Sequence, residues 1–437
     1  MHVVLSAFGT RGDVQPLLAL ALGLVRRGHR ATLVAPPDFA EEAREFGIAF
    51  HPMGLSIRGM LEEHREKLGA NPFAIIRAAK RDAARDVAHQ FEAVREAARG
   101  ADAIMAAGIM WGASSVAEAY KLPYWYLAYA PEAIASDHHP PVFIPFGGLP
   151  RFANRLGWRV FGSLVEWVVR EPINRQRALL DLAPLDAAIA HSFAEPRAVL
   201  AADPDIAPWP ADVGGAASPT GWLSLPDHRE LGEPLRAFLE AGPPPIYFGF
   251  GSMVDRNSLR TTALVIEAAR AVKRRALISA GWAGLGSNEC LGSDVLVIGS
   301  VPHAKLFSRV AAVVHHGGAG TTHAATRAGV PQIVVPHLLD QFCWARRVAR
   351  LGLGPKPLPR WQLSTRRLIA RLEACFADRA IPLRATDLAA RAARHDGVAN
   401  LVRFLEERIE PNKRTVLSAP SRSRSSSAPQ GATRCDP

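Results

Sequence analysis

Cysteine is scarce in this sequence, and its spacing excludes two classes of protein. The 437 residues contain four cysteines, Cys290, Cys343, Cys375 and Cys435, and no two of them form a CxxC pair. Disulfide-stapled domains and zinc modules need cysteines that are closely or regularly spaced. The usage is therefore typical of a reducing compartment, with neither a disulfide framework nor a structural zinc site.

Export signals and long apolar runs are also missing. Met1 is followed at once by the strand-like segment HVVLSAF, without a basic leader or a small-residue cleavage site. No apolar run approaches the roughly 18 residues that a membrane-spanning helix needs. We therefore expect a cytoplasmic protein.

Acidic residues are outnumbered, yet the positive charge does not favour nucleic-acid binding. The formal net charge is +11, from 52 Lys and Arg against 41 Asp and Glu. Residues 411–437 hold five basic residues and one acidic residue in a Ser/Pro/Arg-rich stretch, which predicts a disordered basic tail. The remaining charge is spread along helices that mix both signs. We expect no nucleic-acid partner, and a weak contact of the tail with an anionic membrane is the alternative use of its charge.

The chain length and the alternation of strand and helix patterns predict two α/β domains joined by a short linker. The chain exceeds the usual domain size of about 100 to 200 residues. Short apolar runs alternate with helical patterns from the N-terminus, and the same rhythm restarts at PIYFGFGSM after a Pro-rich stretch. We predict an N-terminal domain at 1–222, a linker at 223–243, a C-terminal domain at 244–395, a helix at 396–410 and the tail at 411–437. Two doubly wound, Rossmann-like domains would leave a cleft between the carboxyl ends of their strands, where such sheets bind ligands.

The segment AAVVHHGGAGTTHAATRAG is the most informative part of the sequence. An apolar strand runs into His315, three glycines and Thr321, after which a helix begins. Small residues at a helix start expose backbone N–H groups that suit a diphosphate. Asp340 and Gln341 open the next helix on the same sheet edge and could hydrogen-bond sugar hydroxyls. A tight strand-to-helix turn without a ligand is the alternative explanation of the glycines alone.

With these segments in view, the chain resembles the GT-B-fold, family 1 UDP-glycosyltransferases, particularly the bacterial glycopeptide-antibiotic glycosyltransferases and the sterol glucosyltransferases. The motifs that carry the resemblance are FGTRGDVQP, FGFGSM, HHGGAGTTHAATRAGVPQIVVP and the DQ pair, in that order. The resemblance covers about residues 1–410 and is weakest from 131 to 224. It implies a GT-B fold of two facing Rossmann-like domains and a nucleotide-sugar donor.

The resemblance also implies a set of donor-binding residues. Ser252, His315 and the amides that follow are expected to hold the diphosphate, Asp340 and Gln341 the hexose, and the backbone of Val301 the pyrimidine. His323 stands where plant members have a ribose-binding Glu, which leaves UDP and dTDP both open. The full predicted donor set is Gly12, Ser252, Val301, His315, Gly317, Gly318, Ala319, Gly320, Thr321, Asp340 and Gln341.

Asp13 is the predicted catalytic base. Glycosyl transfer to a hydroxyl needs a group that removes the acceptor proton. Asp13 lies in the turn after the first strand, and the glycopeptide-type enzymes have Asp at the matching place. The competing interpretation is an N-cap of a helix that begins near Val14, and both roles are compatible.

For the other candidate residues, a structural role is a simpler interpretation than a functional one. His138 and His139 lack a third metal ligand nearby, and the sequence Asp203-Pro204-Asp205 imitates a metal-binding DxD but reads better as a turn. Trp111, Trp125, Trp158 and Trp167 are candidates for an apolar acceptor pocket, with core packing as the alternative for each.

The leading hypothesis is an inverting glycosyltransferase that needs no metal and no other cofactor. It would move a hexose, with UDP-glucose as the favoured donor, to a hydroxyl of a hydrophobic small molecule such as a sterol-like, polyketide, glycopeptide or lipid acceptor. A nucleotide-sugar epimerase or hydrolase and a non-catalytic nucleotide-sugar- or lipid-binding protein are the alternatives on the same fold.

Overall fold

A computed structural model gives the protein's fold as two parallel β-sheets covered by helices. It describes residues 1–57, 59, 72–193, 197–214, 219–251, 253, 257–281, 284–286 and 291–417, with the backbone alone at 72–76 and 410–417. Ser252 and residues 418–437, which include most of the predicted tail, lie outside the described residues.

The N-terminal sheet forms because its strands are apolar enough to be buried on both faces. Val3, Val4 and Leu5 of the first strand have no solvent exposure, as expected for parallel strands covered by helices. The strands are β1 His2–Phe8, β2 Arg30–Ala35, β3 Ala49–Pro52, β4 Ala103–Gly108, β5 Tyr124–Ala128 and β6 Ala198–Leu200. Their order is β3-β2-β1-β4-β5-β6, the doubly wound arrangement whose switch point lies between β1 and β4.

The C-terminal sheet repeats the design with five parallel strands. They are β7 Ile246–Gly249, β8 Ala276–Ser279, β9 Val295–Ile298, β10 Ala312–His315 and β11 Gln332–Val334, in the order β11-β10-β7-β8-β9. His315 pairs with Gly249 on one side and with Val334 on the other. The turns after β7, β10 and β11 therefore meet at one edge of this sheet.

Helices cover both sheets. In the described residues they are α1 Arg11–Arg26, α2 Ala40–Glu45, α3 Pro72–Ala97, α4 Ala113–Ala119, α5 Arg151–Ala178, α6 Ala188–Phe193, α7 Glu233–Glu240, α8 Ser258–Ala271, α9 His303–Leu306, α10 Ala319–Arg327, α11 Gln341–Arg350, α12 Thr365–Ala377, α13 Ala380–Ala392 and α14 Gly397–Leu417. Among the residues that the structure describes, no helix combines the length and the apolar character needed to cross a bilayer.

The predicted linker 223–243 is structured in its second half. Helix α7 lies within it, and Leu235 and Leu239 are buried in a cluster with Tyr247 and Val313 of the C-terminal sheet. The Pro-rich sequence hid this helix, whose two leucines stand four residues apart on one face. Packing thus assigns α7 to the C-terminal domain.

The C-terminal helix returns to the N-terminal domain. Helix α14 ends at Leu417, beyond the predicted bound at Glu410, so the start of the predicted disordered tail is helical. Leu401 and Leu405 of α14 share a buried cluster with Leu17 of α1. Glu406 pairs with Arg27 at 2.8 Å, an exposed contact that adds little to the apolar packing. The chain therefore crosses between its two domains a second time.

Candidate active site

Asp13 lies in the first turn of α1, directly after β1. Helix α1 begins at Arg11 and is capped by Thr10, so Asp13 is the third helical residue and not the predicted N-cap before Val14. Its Oδ2 accepts a hydrogen bond from the Thr10 backbone N–H at 2.8 Å, which completes a capping box. A Cβ atom at Gly108, at the end of β4, would lie 3.1 Å from Oδ1. The carboxylate thus sits at the switch point between β1 and β4.

The surroundings of Asp13 raise its proton affinity. Burial raises the pKa of the carboxyl group to about 6, although the hydrogen bonds from Thr10 act in the opposite direction. The Tyr129 hydroxyl donates to the Asp13 carbonyl oxygen at 2.7 Å and holds the start of α1 in place. A carboxylate with this pKa is largely ionised at neutral pH and is a stronger base than an exposed aspartate.

Asp340 faces Asp13 from the other domain. It is the N-cap residue of α11, and its Oδ2 accepts a hydrogen bond from Trp344 Nε1 at 3.2 Å. The pKa of Asp340 is raised to about 7, chiefly by burial and also by the negative charges of Asp13 and Glu132. The charge of Asp13 acts on Asp340, so carboxylates of the two domains lie near each other.

Two further contacts hold the walls of the cleft together. Arg11 Nη1 donates to Ser300 Oγ, beside the end of β9, at 3.3 Å. Arg346 on α11 pairs with Glu132, in the loop after β5, at 2.7 Å, and its Nη1 donates to the Pro145 carbonyl at 3.0 Å. The loop at 131–150 therefore reaches the helix that begins next to Asp340.

The glycine-rich turn joins β10 to α10 on the same side of the C-terminal sheet. Gly317 has φ +89°, and a Cβ atom there would lie 2.7 Å from Val334 Cγ1 and 2.9 Å from the Gln341 carbonyl oxygen, so only glycine fits. Gly318 is the N-cap residue, and within the described residues no side chain caps α10. The N–H groups of Ala319, Gly320 and Thr321 thus form an uncapped helix start, which favours an anion.

His315 does not face the cleft as the sequence led us to expect. Its side chain has no solvent exposure, Nε2 lies 3.0 Å from Gln332 Oε1, and Nδ1 accepts a hydrogen bond from the Gly317 N–H at 3.1 Å. Burial lowers the pKa of His315 to about 4, so the ring is neutral. Both ring nitrogens are engaged inside the domain, and the predicted donation to a phosphate would require one of these bonds to break.

His316 is the histidine that sequence reasoning missed. Its ring is half-buried and packs against the two glycine-containing loops. A Cβ atom added at Gly251 would lie 2.8 Å from His316 Cε1, and one added at Gly318 would lie 2.5 Å from His316 Nε2. Nδ1 is buried and makes no hydrogen bond of normal geometry, although the Gly249 carbonyl is close to the ring. Burial, followed by the nearby His315, lowers the pKa of His316 to about 3. A neutral imidazole with an unsatisfied nitrogen therefore lies between the turns after β7 and β10.

The remaining predicted donor residues differ in availability. Gln341 is buried, and its Oε1 accepts from the His337 N–H at 2.8 Å while Nε2 donates to Met253 Sδ at 3.3 Å, so its side chain orders the turn before α11. Val301 follows β9 and is partly exposed, and Gly12 is exposed in the first turn of α1. Ser252 lies outside the described residues.

The Asp203-Pro204-Asp205 sequence forms a turn and ties the domains together. Asp203 is fully buried and accepts hydrogen bonds from Arg327 on α10 at 2.8 and 3.1 Å and from the Trp222 N–H at 2.8 Å. Burial alone would raise the pKa of Asp203, but these partners hold it below its usual value. Within the described residues no group of three acidic, His or Cys side chains is placed to bind a metal.

His323 belongs to the same interdomain contact. Its Nδ1 donates to the Ala319 carbonyl at 2.8 Å, and its Nε2 accepts from the Asp203 N–H at 3.2 Å. The ring stacks on Trp222, with centroids 4.6 Å apart, and meets Trp344 edge-on. This packing fixes the orientation of α10, whose free end lies at the cleft.

Removing Arg327 should destabilise the protein strongly. Arg327→Leu leaves the buried Asp203 carboxylate without its main partner, which costs about 3–5 kcal/mol of unfolding free energy. Urea denaturation measures the loss. Arg391→Leu is the matched control, because Arg391 reaches Asp205 only at 3.5 Å on a half-exposed surface and its removal should cost less than about 1 kcal/mol. Equal losses for the two variants would contradict this ranking.

Exposed apolar side chains precede Asp340 and follow strands of the N-terminal sheet. Leu338 and Leu339, both partly exposed, directly precede Asp340, and Leu339 is held at φ +52°, a conformation that is costly for a leucine. Exposed Leu55 and Ile109 follow β3 and β4 on the opposing edge. Of the four tryptophans considered for a pocket, Trp125 is in the core, Trp111 and Trp158 are half-buried, and Trp167 is exposed.

Comparisons with known proteins agree with this geometry. The glycosyltransferase family 28 N-terminal domain model matches residues 3–136, and the erythromycin biosynthesis protein CIII-like C-terminal domain model matches residues 283–407. Glycosyltransferase GtfC of Amycolatopsis orientalis is 37% identical over 424 residues, covering 96% of this chain and 100% of that protein. The vancomycin aglycone glucosyltransferase of the same organism is 36% identical over 439 residues, covering 95% and 100%. Sterol 3-beta-glucosyltransferase UGT80A2 of Arabidopsis thaliana is 32% identical over 441 residues, covering 95% and 67%.

Solved structures show the same fold. Glycosyltransferase SnogD from Streptomyces nogalater superposes with a TM-score of 0.65 at 18% identity, covering 96% of this chain and 100% of that one. Spinosyn rhamnosyltransferase SpnG, solved with thymidine diphosphate, gives 0.61 at 17% identity, covering 93% and 100%. The fold and the relatives define a glycosyltransferase of the GT-B type. The chain belongs to the GT-B family that contains the glycopeptide-antibiotic glycosyltransferases and the sterol glucosyltransferases, which confirms the resemblance seen in the sequence.

Proposed function

We propose that this glycosyltransferase moves a hexose, with inversion and without a metal, from a nucleoside-diphosphate sugar to a hydroxyl of a hydrophobic small molecule. One observation carries the proposal: a basic carboxylate, Asp13, shares a cleft with an uncapped helix start and Asp340 of the other domain. This arrangement would hold the acceptor hydroxyl beside the base of one domain and the activated sugar beside the groups of the other.

The chemical step follows from these positions. Asp13 takes the proton of the acceptor hydroxyl as its oxygen forms a bond to the sugar C1. The bond from C1 to the diphosphate oxygen breaks on the opposite face, and its electron pair leaves with the nucleoside diphosphate. The amides of residues 319–321 and one N–H of neutral His316 stabilise that charge by hydrogen bonding. His315 and Gln341 support this turn from inside.

The proposed donor site binds the hexose, the pyrimidine and the diphosphate that joins them. Asp340 hydrogen-bonds the hexose hydroxyls, the Val301 backbone reads the pyrimidine edge, and Gly12, Gly317 and Gly318 border the phosphates. A role of Ser252 at the diphosphate rests on the sequence resemblance alone. UDP-glucose is the favoured donor because two of the relatives are named glucosyltransferases. A dTDP-sugar is the alternative, since structural neighbours were solved with thymidine diphosphate.

The acceptor proposal rests on apolar surface near the base. Leu55 and Ile109 on one wall and Leu338 and Leu339 on the other are exposed beside Asp13 and Asp340. Such surface favours a largely apolar acceptor with a free hydroxyl over a simple sugar. The named acceptors of two relatives, a sterol and the vancomycin aglycone, are both partly apolar and fit this expectation.

The rate should depend on pH through Asp13. Only the ionised carboxylate can accept a proton, and the pKa of Asp13 is raised to about 6. As pH falls below that value the base is protonated, so kcat/KM should drop about tenfold per pH unit and level off above pH ~7. Initial rates from pH 4.5 to 8.5 at low acceptor concentration measure this fall in kcat/KM. A profile that stays flat down to pH 4.5 would remove Asp13 from the rate-determining step.

A donor and acceptor screen tests the function. Thermal shift with UDP- and dTDP-sugars identifies the donor, and transfer of its sugar to a panel of hydrophobic alcohols is followed by mass spectrometry with EDTA present. A β-linked product from an α-linked donor supports the proposal. Donor consumption that needs no acceptor would instead indicate a hydrolase or an epimerase, and tight binding without turnover would indicate a binding protein.

A further inference from the structure

Helix α5 exposes a continuous row of apolar side chains. Phe152 is 68% exposed, Leu156 59%, Val160 60%, Leu164 36% and Trp167 55%. Residues three or four apart lie on one helix face, so the five side chains form a stripe about 22 Å long. We call these five residues the α5 stripe. Soluble proteins seldom leave such a contiguous patch exposed unless it binds something.

Positive charge borders the α5 stripe along its length. Arg151, Arg155 and Arg159 each precede a stripe residue, repeat every four positions and are exposed. Of these, Arg155 has an acidic neighbour, Asp137, at 3.6 Å. Lys80 of α3 lies with Nζ 3.3 Å from the centre of the Trp167 ring. Apolar and aromatic side chains flanked by arginines are the composition of helices that lie in the interface of an anionic bilayer.

The α5 stripe is connected to the active-site cleft through one loop. The loop at 131–150 leads directly into α5, and Phe143 packs on Phe161 with ring centroids 4.5 Å apart. Trp158 Nε1 donates to the His139 carbonyl at 3.0 Å. The same loop contacts Arg346 at the cleft. A membrane held at the stripe would therefore lie next to the loop that contacts Arg346 at the cleft.

We propose that the α5 stripe is a docking surface for an anionic lipid bilayer, with the helix lying in the plane of the membrane. Charge complementarity selects this occupant: three arginines on a single edge suit lipid phosphates, whereas a second copy of the chain would bring like charges together. The surface goes beyond the proposed function, because binding to lipid needs neither donor nor catalysis. It also replaces the basic tail as the main membrane contact.

Vesicle sedimentation tests the proposal with the full-length chain and no nucleotide sugar. The protein should sediment with phosphatidylcholine–phosphatidylglycerol vesicles and much less with phosphatidylcholine alone. The combined variant Leu156→Gln, Val160→Gln and Trp167→Gln should lower the partition coefficient more than about tenfold, since it removes the inserted apolar area. Arg151→Gln with Arg155→Gln and Arg159→Gln should lower it about tenfold or more and abolish its salt dependence.

Matched controls separate the surface from general effects. Leu259→Gln with Leu383→Gln changes leucines that are 53% and 72% exposed on the other domain, and binding should stay as in the wild type. A chain ending at Leu417 should also bind. Wild type that stays in the supernatant, a stripe variant that binds normally, or loss of binding only on tail removal would each overturn the proposal. So would a dimer in sedimentation velocity that the stripe variant dissociates.

Discussion

Asp13→Asn is expected to lower kcat for glycosyl transfer by about 10²- to 10⁴-fold, the usual effect of losing a general base. The asparagine side chain keeps an oxygen that can accept the Thr10 N–H, which Asp13 accepts at 2.8 Å. The capping box and the fold should therefore survive while the proton acceptor is lost. Single-turnover rates with saturating donor and acceptor measure the chemical step.

Thr10→Ala is the control for the structural role of Asp13. It removes the N-cap hydroxyl of α1 and should cost about 1 kcal/mol of stability while the base remains. Donor affinity, measured by calorimetry, should be unchanged in Asp13→Asn, because the diphosphate is held by the other domain. Normal turnover of Asp13→Asn, or a rate loss in Thr10→Ala of the same size, would show that Asp13 acts only as a cap.

The class of fold could be predicted because the central strands are apolar enough to be buried on both faces. Val3 to Leu5 and Val313 to Val314 are examples, and each run ends at a glycine-containing turn before a helix. In a parallel sheet those turns share one edge, so the order of motifs along the chain already indicated a cleft.

Side-chain direction at the end of β10 could not be predicted. Strands buried on both faces lack the alternation that tells inside from outside, so the sequence analysis chose His315 and did not consider His316. The structure makes His315 the last paired residue of β10, which encloses its ring beside Gln332. One residue later the chain has left the sheet, and the His316 ring lies between Gly251 and Gly318 of the two glycine-containing turns.

Contacts between distant segments were also beyond the sequence. Asp203 and Arg327 are 124 positions apart, and nothing in their local sequence marks them as partners. The apolar face of α14, with Leu401 and Leu405, indicates burial but not against which domain. Contacts between residues far apart in the sequence depend on the complete packing of both domains, whereas the local pattern shows only that a helix face is apolar.

The second large effect is expected at His316. His316→Ala removes an N–H that would meet the leaving diphosphate, and loss of one such donor lowers kcat by about 10²- to 10³-fold. Because the charge grows as the C1 bond breaks, kcat should fall more than donor affinity. The ring is neutral, with its pKa lowered to about 3 by burial, so this effect should not vary with pH between 5 and 8.

His315→Asn is the matched comparison, one residue away. Gln332 Oε1 loses the His315 ring as its partner, while its Nε2 keeps Thr326, and the Gly317 N–H loses its acceptor. We therefore expect a stability loss of about 1–3 kcal/mol. Transfer by the protein that remains folded should continue, since no atom of His315 faces the diphosphate. If the outcomes were exchanged, with His316→Ala active and His315→Asn folded but inactive, the leaving group would be held by His315 after a rearrangement of the turn. The pair of variants therefore decides which histidine carries the chemistry and which one shapes the loop.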